Sequence, residues 1–153
     1  MADMQLVDTI NEDIKQAMRN KDEAALRALR GIKSALLIAK TEKGASDIIA
    51  PEKELQILQK LVKQRKESLE IYQTQNRADL AKIEEEEIAV IEKYLPAQMS
   101  ADALRESLQQ IIQQVGATSA ADIGKVMGAA SKQLAGKADG KTISAMVKEL
   151  LAP

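Results

Sequence analysis

The sequence predicts an all-α protein: an N-terminal helical domain with a long antiparallel helical hairpin, followed by a small C-terminal three-helix domain. Three observations carry that prediction. Apolar residues recur at spacings of three and four along the whole chain, and alternating β-branched runs are missing. Tyr72 and Tyr94 are the only aromatic residues, so the core must be built from Leu, Ile, Val, Met and Ala. Tyr94-Leu95-Pro96 interrupts the helical pattern, because proline disfavours helical geometry in the residue before it. This break divides the chain into domains 1–96 and 97–153.

The first helix is expected from about Gln5 to Arg19, with Leu6, Ile10, Ala17 and the Val7, Ile14, Met18 row facing inward. Asn20-Lys21-Asp22 reads as a turn, with Asp22 as N-cap of the next helix. That helix carries Leu26, Leu29, Ile32 and Leu36 and should end near Gly44, before a loop over 44–50. Pro51 suits the first turn of a third helix.

The third and fourth helices share a pattern. Leu55, Leu58, Val62, Arg65, Leu69 and Tyr72 form one stripe; Leu80, Ile83, Glu87, Val90 and Tyr94 form the other. Asn76, with Asp79 three residues on, reads as a turn and an N-cap between them. Folding the chain back at Asn76 sets Tyr72 against Leu80, Leu69 against Ile83, Val62 against Val90 and Leu58 against Tyr94. The same register sets Arg65 against Glu87, a structural ion pair within two apolar stripes. Chance coincidence of two common residue types is the plainer alternative.

In the C-terminal domain, Ser100 should cap a fifth helix carrying Leu104, Leu108, Ile111, Ile112 and Val115, which stops at Gly116. Ser119 to Asp122 resembles a capping box opening a sixth helix. Asp139 is placed to cap the last, with Ile143, Met146, Val147 and Leu150 inward and Lys141 and Lys148 outside.

The sixth helix is chemically unusual. It holds Gly124-Lys125-Val126-Met127-Gly128 and leads into Gly136-Lys137-Ala138-Asp139-Gly140. Each interior glycine costs a helix about 1 kcal/mol relative to alanine. At about 100° per residue, Ile123, Val126, Met127, Ala130 and Leu134 form the apolar face. Gly124, Gly128, Lys125 and Lys132 fall on the far side. A flat cationic face admits the close approach of another backbone, and a phosphate backbone is one candidate. The plainer alternative is a tight helix–helix contact beside two solvated lysines.

Composition excludes much chemistry. The 153 residues contain no Cys and no His. Thiol nucleophiles, disulfides, imidazole bases and the usual zinc ligands are therefore absent. Only carboxylate magnesium sites stay open. Glu84 to Glu87 spread around their helix too widely to converge, and that run and the Lys60, Lys63, Lys66 stripe read as solvated faces. The net charge is −1. Residues 97–153 carry 6 basic and 5 acidic side chains, so anion binding there needs local clustering. Scarce aromatics argue against base stacking. Met1 to Met4 lack a basic region, and no apolar run suggests a signal peptide or a membrane span. The expectation is a cytoplasmic protein with no membrane contact.

Lys63-Gln64-Arg65-Lys66-Glu67-Ser68, Asn76-Arg77-Ala78-Asp79-Leu80, Tyr94-Leu95-Pro96, Gly124 to Gly128 and Gly136 to Asp139 occur in the order of the YqeY family, which nearly the whole chain resembles. The C-terminal part is similar to the tail domain of the GatB subunit of tRNA-dependent amidotransferase. The resemblance implies two helical domains and RNA contact through the matching Gly124, Lys125, Gly128, Lys132, Gly136 and Lys137. Gly140 departs from the proline common in the amidotransferase tail. The resemblance also carries a family label of carbon–nitrogen ligase activity with glutamine as amido-N-donor. The chain has no phosphate loop and no room for an ATP site, so no catalytic residue, metal or cofactor is expected. The expected role is a non-catalytic tRNA-binding or amidotransferase-like accessory module whose partner is tRNA or an aminoacyl-tRNA complex. The alternative is a protein-interaction module acting through the helical hairpin on a protein partner.

Overall fold

A computed structural model describes residues 5–42 and 48–153. The chain divides into two compact units, Met1–Leu95 and Pro96–Pro153. Among the described residues there are seven α-helices and no strand. The N-terminal Met1 to Met4, the expected helix end near Gly44 and most of the 44–50 loop lie outside the described residues.

In the first unit, α1 spans Leu6–Arg19 and α2 spans Glu23–Thr41. Lys21 turns the chain with a left-handed φ of 54°. Asp22 then caps α2 by accepting from the Ala25 N–H at 3.1 Å. Helix α3 runs Pro51–Thr74 and α4 runs Ala78–Glu92. They form an antiparallel hairpin, and α2 packs against α1, α3 and α4. Ile10, Ile32, Leu36, Leu58 and Ile91 are completely buried between them. Each contributes about 1.5–3 kcal/mol by leaving water.

Three details differ from the sequence pattern. Asn76 does not cap α4; it makes the turn itself, with φ at 57°, and Arg77 occupies the cap position. Arg77 instead holds Asp79 through two hydrogen bonds of 3.1 and 3.0 Å. Met18 is 56% exposed, because the α1 stripe is narrower near its C-terminus than the apolar spacing suggested. On α4 the buried residues are Ala81, Glu87, Ile88 and Ile91, whereas Ile83 lies at the solvent edge. Helix α4 faces α2 as well as α3, so its buried sector is wider than a single hairpin seam.

The second unit packs α5 (Ala101–Val115), α6 (Ile123–Gln133) and α7 (Gly140–Leu151) around Leu104, Leu108, Ile111, Val126, Ala130 and Val147. Ser100 caps α5 by accepting from the Ala103 N–H at 3.1 Å, and Gly116 ends it in the left-handed region at φ 70°. Asp139 caps α7 by accepting from the Thr142 N–H at 3.3 Å. A tight helical turn, Ala120–Asp122, precedes α6. Ser119 makes no capping bond there. The Asp122 carboxylate instead accepts from the Thr118 N–H at 2.9 Å.

Candidate nucleic-acid interface

Helix α6 is oriented by its apolar side. Val126 and Ala130 are completely buried, and Leu134 closes the same face just beyond the last turn. This burial turns the opposite side to solvent. Gly124 and Gly128 are exposed there, and a Cβ built on either would meet no atom within 4 Å. Among the described residues, then, no other element makes the close helix contact that was the plainer alternative for these glycines.

Lys125 and Lys132 are exposed on this side, two helical turns apart. Neither has an ion-pair partner among the described residues. Lys125 does lie near enough to Asp122 to assist in lowering that carboxyl's pKa. The main cause of the lowering is the hydrogen bond from the Thr118 backbone. Lys137 is exposed in the following turn, and Lys141 and Lys148 are exposed on α7.

Gly136 has a different role from Gly124 and Gly128. It is buried and left-handed, with φ at 74°. Its carbonyl accepts from Gln98 Nε2 at 2.7 Å. The next carbonyl, of Lys137, accepts from the Met99 N–H at 2.9 Å. The segment ahead of α5 thus clamps the α6–α7 turn, and Lys137 is held at a fixed position with its side chain free. Gly136 shapes the surface without forming it.

Arg65 and Glu87 meet in the first unit, Nη2 to Oε1 at 3.5 Å, and both side chains are largely buried. Sequence spacing did not reveal the rest of this cluster. Arg27 of α2 also reaches Glu87 at 3.7 Å and Glu86 at 3.2 Å. Arg65 Nη1 donates to the Leu61 carbonyl at 3.1 Å, one turn back on its own helix. Burial, followed by the charge of Glu87, raises the Glu84 pKa. Lys66 pairs with Glu92 at 3.6 Å. The arrangement holds three helices in register. Among the described residues, no group of three acidic side chains is placed to hold a metal ion, so the Glu84 to Glu87 run does not converge. No described helix is long and apolar enough to cross a membrane.

A helical hairpin carrying a buried ion pair, together with a three-helix unit bearing a flat lysine face, defines a class of two-unit all-α proteins. Residues 7–151 match the Yqey-like protein family, and the chain belongs to it. Relatives include "Altered inheritance of mitochondria protein 41, mitochondrial" from Meyerozyma guilliermondii, 34% identical over 72% of this chain and 60% of the relative. The protein of the same name from Clavispora lusitaniae is 32% identical over 84% of this chain and 74% of the relative. That from Pyrenophora tritici-repentis is 28% identical over 93% and 78%. The chain spans only three fifths of the first of these relatives. Their names place them in mitochondria, and this overturns the cytoplasmic expectation, which rested on composition and on a short N-terminal sequence.

Proposed function

We propose that this protein is a non-catalytic RNA-binding accessory module, with tRNA or an aminoacyl-tRNA complex as its partner. The open space over Gly124 and Gly128 is the observation that supports this reading. Two helix-weakening residues that no neighbour requires flatten a surface flanked by Lys125, Lys132 and Lys137. Recognition would use phosphates and backbone shape, because aromatic stacking platforms are lacking. The module would act beside an enzyme, with no amide-transfer chemistry of its own.

The test is a titration of the purified chain with tRNA at two salt concentrations, using mitochondrial and cytosolic tRNA in parallel. Phosphate contacts release counterions, so affinity should fall steeply with salt. Binding that ignores salt, or none at all, would reject the reading. A protein-interaction module working through the α3–α4 hairpin is the second reading, favoured by Ile71 and Ile83, which are exposed on that hairpin. It predicts association that salt leaves largely unchanged.

A further inference from the structure

The first unit has a groove between α2 and α3 that the RNA-binding reading does not use. Its volume is about 420 Å³. Helix α2 contributes Ala35, Ile38 and Ala39, and Glu42 follows at its C-terminal end. Helix α3 contributes Lys53, Gln56, Ile57, Lys60, Leu61 and Gln64, which also share one helical face. Over α3 the groove runs from Lys53 to Gln64, about 16 Å by helix rise. That is three turns of helix.

Its chemistry is specific. Ala35 and Ala39 leave the α2 side shallow, so a backbone can come close. Ile57 and Leu61 supply apolar walls and are only partly buried. Ile38 stands at the lip, 62% exposed, and Leu37 beside it in the chain is 46% exposed. Lys53 and Lys60 are two turns apart on one edge, and both are exposed. Neither has an ion-pair partner among the described residues, although Lys66 on the same helix pairs with Glu92.

We infer that this groove receives an acidic amphipathic helix from a partner protein, laid between α2 and α3. Apolar side chains one turn apart would seat against Ile38, Ile57 and Leu61, and flanking carboxylates would meet Lys53 and Lys60. This is the helix-in-groove mode of recognition, in which the anchors lie at i, i+4 and i+7. The lining carries two lysines against one carboxylate, Glu42, so its charge favours an acidic occupant, and the groove length sets about three turns of contact.

The probe is a fluorescent fifteen-residue designed helix with leucines at i, i+4 and i+7 and glutamates flanking them; its control replaces the glutamates with lysines. Anisotropy titration of the full chain should show the acidic helix bound at least tenfold more tightly than the basic one. Ile38→Glu should abolish binding with the melting temperature retained, since Ile38 is exposed. Lys53→Glu with Lys60→Glu should invert the preference, so that the basic helix binds more tightly. Failure of the acidic helix to bind, or equal binding by Ile38→Glu, overturns the inference. So does concentration-dependent self-association lost in Ile38→Glu, which would make a second copy the occupant. Loss of tRNA binding in the Lys53, Lys60 double variant without any peptide binding would assign the edge to RNA instead. The tRNA titration in Lys125→Glu with Lys132→Glu remains a separate readout, so this inference and the RNA-binding reading fail independently.

Discussion

Arg65 of α3 lies directly over Gly31 of α2. A Cβ at Gly31 would stand 3.1 Å from Arg65 Nη2, closer than an ordinary contact. The guanidinium that pairs with Glu87 therefore occupies the space where another residue would carry its side chain. Gly31→Ala should be nearly neutral: helix propensity gains about 1 kcal/mol, offset by a shift of the flexible guanidinium. Gly31→Leu should expel Arg65 and destabilise clearly. Urea unfolding of Gly31→Leu alone and combined with Arg65→Met tests the relationship. The two changes should couple by at least about 1 kcal/mol; strict additivity would refute it.

Arg65→Met should cost about 3 kcal/mol, the low end of the range for breaking a buried pair. The low end applies because Glu87 keeps Arg27 at 3.7 Å. Adding Glu87→Leu should restore much of the loss, since no carboxylate is then left buried. Denaturant midpoints of the single and double variants measure this, and a double variant no more stable than Arg65→Met would contradict it.

Tyr94 donates its hydroxyl to the Asp13 carboxylate, joining the end of the hairpin to α1. Burial first, then this bond and the Asp13 charge, raises the Tyr94 pKa above its usual 10. The unfolded chain therefore loses this proton before the folded one does. The contribution to stability is complete below pH about 10 and is lost as pH rises through the folded value. Tyr94→Phe should lower stability by about 1 kcal/mol at pH 7 and flatten the decline of the melting temperature above pH 10. Thermal melts across that range compare the two.

Lys125→Glu with Lys132→Glu should weaken tRNA binding strongly and reduce the salt slope by about one or two phosphate contacts. Gly128→Leu should weaken it too, by bulk alone. Its melting temperature should hold or rise, because leucine is the better helix former and nothing stands over the site. Electrophoretic shifts and thermal melts on the same preparations decide it. Unimpaired binding by Gly128→Leu would remove this face from the interface.

The helices were legible because three- and four-residue spacing, Pro51, Asp22, Ser100, Gly116 and Asp139 mark them directly. The Arg65–Glu87 register was legible because a hairpin obeys one midpoint rule. Arg27 and Gly31 were not, because they belong to α2, and a repeat within two helices carries no information about the third helix packed across them. On the candidate face, the outward placement of Gly124, Gly128, Lys125 and Lys132 followed from periodicity. The burial of Gly136 did not, since it depends on Gln98 and Met99, which lie 38 residues away for both Gln98–Gly136 and Met99–Lys137.

Tyr72 and Tyr94 both belong to the first unit, and the second contains no aromatic ring at all. The second unit is therefore silent to aromatic probes in the near ultraviolet. Tyrosine emission will follow the loss of the hairpin unit alone, whereas far-ultraviolet dichroism sums the helices of both. Two superimposable melts would mean that the units lose structure together. Two separated melts would give each unit its own transition without cutting the chain.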